Sequence, residues 1–145
     1  MRFRCILLLF LTTVLTPALC AQSAESSDSQ AEKITNARQQ GKLQQAEALA
    51  SELKKTAESQ SSPTLLAEAL FQQGRNAMER NQYDQAQALL NQAISIYQDQ
   101  DEPLLLAHAY RQLGLTYRYQ ANYSVALEYI YLSMQIYQQS GSQQD

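Results

Sequence analysis

The sequence predicts an all-α solenoid of about three antiparallel helix pairs, stacked side by side and preceded by a signal peptide. Three observations predict it. The chain aligns with itself when Pro63 is laid on Pro103 and the rest follows in register. Beyond about position 31 it is dominated by Ala, Leu, Gln and Glu, with only four glycines in the whole chain and no alternating strand period. Residues 1–21 run in the order basic, apolar, small that marks export.

Taken in order, the N-terminus opens with Met1-Arg2-Phe3-Arg4, continues with an apolar run from Cys5 to about Leu15, and closes with Pro17-Ala18-Leu19-Cys20-Ala21. The apolar run is about a dozen residues, short of the roughly 20 that span a bilayer as a helix, so no stable membrane anchor is expected. Cleavage is expected near Cys20 or Ala21. Bacterial lipoprotein signals resemble Leu-Ala-Gly-Cys, and Pro17 and Leu19 depart from that order. Both cysteines, Cys5 and Cys20, fall inside residues 1–21, which leaves the mature chain without a disulfide framework or a cysteine-based metal site. Loss of Arg2 and Arg4 leaves nine basic against 14 acidic side chains, a formal charge of −5. That balance argues against nucleic acid and against an anionic membrane surface as partners.

Residues 22–30 are small and polar and read as a disordered, solvated leader. The repeats follow over 31–138, divided at about 31–60, 61–100 and 101–138. In the register that brings Pro63 onto Pro103, Leu65-Leu66-Ala67 meets Leu105-Leu106-Ala107, Ala69 meets Ala109, Gln72 meets Gln112 and Gly74 meets Gly114. Tyr83, Ala86, Ile96 and Tyr97 meet Tyr123, Ala126, Ile136 and Tyr137, which makes 11 identities in the 35 pairs from Pro63 to Tyr97. The first repeat is the most degenerate, keeping Ala46 beneath Ala86 and Leu49 beneath Leu89.

Each repeat reads as a helix pair. Pro63 and Pro103 suit a first helical turn, where a missing N–H has no intrahelical acceptor to lose. The first helices are expected to run to about Arg80 and Gln120, with polar reversals at Asn81-Gln82 and Ala121-Asn122. The second helices open near Tyr83 and Tyr123, and place Ala86, Leu90, Ala93 and Tyr97, or Ala126, Ile130, Ser133 and Tyr137, on one face. Gly74 and Gly114 sit inside helices, where glycine costs about 1 kcal/mol relative to alanine. Close approach of the second helix at Ala86 and Ala126 accounts for them. The last helix is expected to end near Tyr137, with a disordered tail over 139–145.

These residues resemble the tetratricopeptide repeat (TPR) pattern W-x2-L-G-x2-Y, followed by a spaced alanine, a large apolar residue and a small one. Repeat three carries Tyr110, Leu113, Gly114, Tyr117, Ala126, Ile130 and Ser133. Repeat two keeps Leu70, Gly74, Ala86, Leu90 and Ala93 but has Gln73 and Ala77 where the family prefers Leu and Tyr. Repeat one keeps little beyond Ala46 and has Ile34 where the glycine would fall. The period of 40 exceeds the usual 34 and resembles the longer TPR variants. The resemblance covers about positions 30–137, and it implies a TPR-like array whose first helices line a concave groove for a protein or peptide partner.

On the first helices, Glu68, Phe71, Arg75 and Met78 in repeat two, and His108, Arg111, Leu115 and Arg118 in repeat three, are spaced 3-4-3 on one face. They are the candidate partner-binding residues; the same spacing also suits a solvated helix face with a few core contacts. Family members that clamp a terminal carboxylate use Lys and Asn, which this set lacks. His108 is the single histidine, without metal-ligand spacing around it, and no segment presents an activated serine, so neither an enzyme nor a cofactor or metal is expected.

The function expected is that of an exported, non-catalytic scaffold or adaptor, periplasmic in a Gram-negative source. The alternative is a periplasmic sensory input module, or a truncated relative of one. Similar exported TPR arrays precede a membrane helix and a diguanylate cyclase or histidine kinase in bacterial receptors. The last helix, with Tyr129, Ile130, Tyr131, Leu132, Met134, Ile136 and Tyr137, is apolar nearly all round. It is expected to be covered by self-association, by a partner, or by further repeats of a longer relative.

Overall fold

A computed structural model describes residues 18–141, with side chains described from position 29. The signal peptide expected over 1–21 lies, except for positions 18–21, outside the described residues, as does the end of the expected tail. The described residues form six helices and no strand: α1 (Ala18–Gln39), α2 (Leu43–Ser59), α3 (Pro63–Glu79), α4 (Tyr83–Asp99), α5 (Pro103–Tyr119) and α6 (Tyr123–Gly141).

Two helices run further than the sequence suggests. Helix α1 starts at Ala18 and includes the stretch assigned to a disordered leader, because no Gly or Pro interrupts the chain between Ala18 and Gln40 and its Ala, Gln and Glu residues are compatible with a helix. Helix α6 continues past Tyr137 through Gln138-Gln139-Ser140 to Gly141.

The helices are joined by five turns of one design. Gly41, Ser61, Asn81, Asp101 and Ala121 all take positive φ, between 50° and 71°, at even intervals along the chain. In each turn that residue's N–H donates to the carbonyl three back, and the next N–H donates to the carbonyl five back, as Lys42 does to Ala37 at 2.9 Å and Asn122 to Tyr117 at 3.0 Å. This is the Schellman closure, which satisfies carbonyls that a helix end leaves bare. Each repeat is thus two equal half-units. At the entry to α3, Ser62 caps the helix by accepting from the Leu65 N–H, and Pro63 and Pro103 occupy first-turn positions as expected.

Consecutive helices pack as antiparallel pairs, and each pair stacks on the next. The first helices also touch one another, α1 against α3 and α3 against α5. Among the described residues the second helices do not. The array therefore curves with α1, α3 and α5 on its inner side, an all-α solenoid.

Two apolar clusters fill it. The larger gathers Ala67, Leu70, Leu90, Ala93, Ile94, Tyr97, Ala109 and Leu113. The smaller joins Ile34, Ala37, Ala46, Ala50, Leu53 and Ala69. A Cβ built on Gly74 would sit 2.9 Å from Leu90 Cγ, and one on Gly114 would sit 2.9 Å from Ile130 Cγ1 and 3.0 Å from the Ala126 carbonyl oxygen. Absence of a side chain is what lets each helix pair close. Repeat one closes differently: Ile34 stands where the glycine would fall and is itself fully buried, packed with Ala46, Ala50 and Leu53 of α2.

Candidate partner-binding face

The inner side of the solenoid is built from equivalent positions on three helices, one repeat apart. Thr35, Arg75 and Leu115 align, as do Arg38, Met78 and Arg118. Earlier on the helices, Glu68 pairs with His108 and Phe71 with Arg111. All eight sequence-predicted residues therefore belong to one side of the array, four on α3 and four on α5.

Those eight divide by what they touch. Glu68 is tied into the fold: its carboxylate accepts from Gln72 Nε2 at 2.8 Å and from the Tyr97 hydroxyl at 3.1 Å. Phe71 packs against the larger cluster. Met78 presents its sulfur to Gln112 Nε2 at 2.9 Å. Arg75 is half-buried, with its guanidinium 5.6 Å from the centre of the Phe71 ring, and Arg118 lies 5.4 Å from that of Tyr119. Both stack in the manner of a cation over an aromatic face. Arg111 and His108 are exposed, His108 meeting the Tyr137 ring edge-on at 5.6 Å. Among the described residues Arg75, Arg111 and Arg118 have neither an ion pair nor a hydrogen bond from their side chains.

The electrostatics agree with this arrangement. Partial burial holds the Arg75 guanidinium below its ordinary value; of the nearby charges, Glu68, which raises it, outweighs Arg111, which lowers it, and Glu79 raises it further. Partial desolvation of the ring, and after it the charge of Arg111, pushes His108 down, with Glu68 opposing and Arg75 adding to the shift. The inner side thus carries Arg75, Arg111 and Arg118 together with Glu68, in a chain whose overall formal charge is −3.

The sequence reading missed one residue group on this side. Arg38 is buried, with only 7% of its surface exposed. Its Nη1 donates to Asn76 Oδ1 at 2.9 Å, and its Nη2 donates to Gln72 Oε1 at 2.9 Å and to Thr35 Oγ1 at 3.2 Å. Asn76 Nδ2 extends the network by donating to Glu47 at 3.2 Å, which also accepts from Gln73 at 3.3 Å. Burial, followed by the Arg75 charge, lowers the Arg38 guanidinium to about 10, so it remains protonated at neutral pH. The visible sign was the identity of Gln72 with Gln112 in the middle of a first helix. A polar residue repeated at a core-facing register points to an interhelix hydrogen bond.

Among the described residues no three His, Cys, Asp or Glu side chains cluster to hold a metal ion, and no helix is long and apolar enough to cross a membrane. No protein-family model matches the chain, and no curated protein matches it.

Proposed function

We propose that the protein is an exported, non-catalytic scaffold of the TPR type that holds an extended, acidic peptide segment of a partner protein along the inner side of α3 and α5. The observation that carries this reading is the set of guanidiniums at Arg75, Arg111 and Arg118, none of which forms an ion pair among the described residues, although Glu68 lies near enough to Arg75 to act on its charge. Like charges set side by side work against the fold, and they are useful where an anionic ligand arrives. An arginine offers a planar fork of donors that matches a carboxylate in two parallel hydrogen bonds. Leu115, half-buried at the position equivalent to Arg75, is the apolar residue of this set that would contact alternate side chains of the segment. The basic, apolar and small order of residues 1–21 supports export, to the periplasm in a Gram-negative source. The TPR assignment rests on the Gly74 and Gly114 approaches and on the family-like spacing of repeat three.

Fluorescence anisotropy tests the reading with three short labelled peptides of equal length: one alternating Glu with Leu, the same peptide with Lys for Glu, and one with Gln for Glu. The acidic peptide should bind best and weaken with added salt. Arg75→Ala and Arg111→Ala should each weaken it by about two- to fivefold, as expected for charge pairs largely open to solvent. Equal binding of all three peptides, or indifference to both substitutions, would sink the proposal. His108 gives an independent readout: a bound carboxylate favours its charged form, so the histidine pKa followed by NMR should rise in the complex.

A further inference from the structure

The last described helix of the array is unlike its covered counterpart. Helices α4 and α6 occupy the same place in successive repeats, and α4 is capped by α5 while α6 has nothing beyond it among the described residues. Ile94 on α4 is 7% exposed, and its equivalent Met134 is 52% exposed. The substitutions go beyond loss of cover. Gln87 and Asn91 on α4 become Leu127 and Tyr131 on α6, which are 67% and 62% exposed. With Tyr123 and Met134 these form a single apolar stripe along α6, spaced 4-4-3. A helix end destined for water would have kept the polar residues of α4.

We infer that this stripe is the contact by which two copies of the chain pair about a two-fold axis, α6 against α6. Three features select a second copy. The first is size. The four side chains of the stripe are each more than half exposed; with an aromatic side chain covering about 150–250 Å2, they offer on the order of 500 Å2 per copy, roughly 1,000 Å2 for the pair, the size a specific contact needs. The second is charge. Glu128 is the one charged residue of α6, so the face meets its own copy with little like-charge repulsion. The third is the opposite end of the array, where the exposed residues of α1 and α2 include Glu32, Lys33, Glu52 and Lys55. Head-to-tail stacking would set the apolar stripe against those charges, and an open contact of that kind would grow into filaments, whereas a two-fold contact closes on itself.

The test replaces Leu127→Gln together with Tyr131→Asn, restoring the residues that α4 carries at these places. Both positions are exposed, so the fold has little reason to change, and far-UV circular dichroism with a thermal melt confirms it. Sedimentation equilibrium from about 1 to 200 μM should show a dimer for the protein and at least a roughly tenfold weaker dimer for the variant. Three outcomes overturn the inference: a monomer throughout that range, a variant that dimerises as tightly as the parent, or species that keep growing with concentration. The first assigns the stripe to a different partner, and the last to head-to-tail stacking.

Discussion

The two junctions between repeats use equivalent positions and opposite chemistry. Where repeat one meets repeat two, Arg38 reaches across to Gln72 and Asn76 in a buried polar chain that ends on Glu47. Where repeat two meets repeat three, the corresponding residues are Met78, Gln112 and Thr116. There Gln112 rests its amide on the Met78 sulfur, and Thr116 returns its hydroxyl to the Gln112 carbonyl of its own helix at 2.9 Å. Around the second junction lies the larger apolar cluster. The first depends on every donor finding its acceptor, and among the described residues no buried side-chain polar atom is left without one. The second depends on volume. A single change at the first junction strands a partner, while one at the second opens a cavity.

The largest effect is expected where volume matters. Leu113→Ala empties a fully buried site in the larger cluster and should lower the unfolding free energy by about 3–4 kcal/mol in urea titrations. A loss under about 1 kcal/mol would mean that the second junction is not held by packing. At the first junction, Arg38→Met leaves the Gln72 and Asn76 oxygens without their donor and should cost about 2–3 kcal/mol. Adding Asn76→Thr copies the chemistry of the second junction and should recover at least about 1 kcal/mol of it, a coupling that a double-mutant cycle measures directly. If the two substitutions simply add, the two junctions are not interchangeable designs.

A smaller difference separates the two glycines. A Cβ on Gly74 meets chiefly the flexible Leu90 side chain, whereas one on Gly114 meets the Ala126 and Ile130 backbone as well. Gly114→Ala should therefore lose about 1–2 kcal/mol, and Gly74→Ala less, because alanine's better helix propensity returns up to about 1 kcal/mol in both. Thermal melts that ranked them in the reverse order would overturn the close-approach account.

The mildest effect is one of pH. The folded pKa of His108 lies below its usual value, so on acidification the unfolded chain takes up the proton first. The stability that His108 contributes is present above about pH 6.5 and is lost as pH falls through the folded pKa. Melting temperatures compared between about pH 8 and about pH 5 should show a slight fall that His108→Gln diminishes. The NMR pKa of His108 should rise in Arg111→Ala, since removing a neighbouring positive charge favours the protonated ring.

Much of this fold was legible in the chain. The identities between repeats two and three, the helix-starting Pro63 and Pro103, and the mid-helix Gly74 and Gly114 announced the pairing of helices and where they approach. The half-repeat period was hidden because the five turn residues share a positive φ and not a residue type. Gly41, and less strongly Asn81 and Asp101, look like what the backbone requires, whereas Ser61 and Ala121 do not. The candidate face was legible as a spacing, but not the division of labour on it: Glu68, Phe71 and Met78 are engaged within the fold, Arg75 is half-buried against Phe71, and Arg111 and Arg118 are exposed.

What the sequence by itself determined is local: helix follows helix because apolar residues recur at three and four, and the proline and glycine positions bound or admit them. What only the tertiary structure decided is the fate of side chains whose partners lie far along the chain. Arg38 is of a type usually found at the surface, and it is buried because Gln72 and Asn76, 34 and 38 positions away, arrive across the junction with acceptors in reach. A guanidinium's burial is set by the groups that replace its water, and those groups are brought together by the stacking of helices and not by the segment that carries the charge.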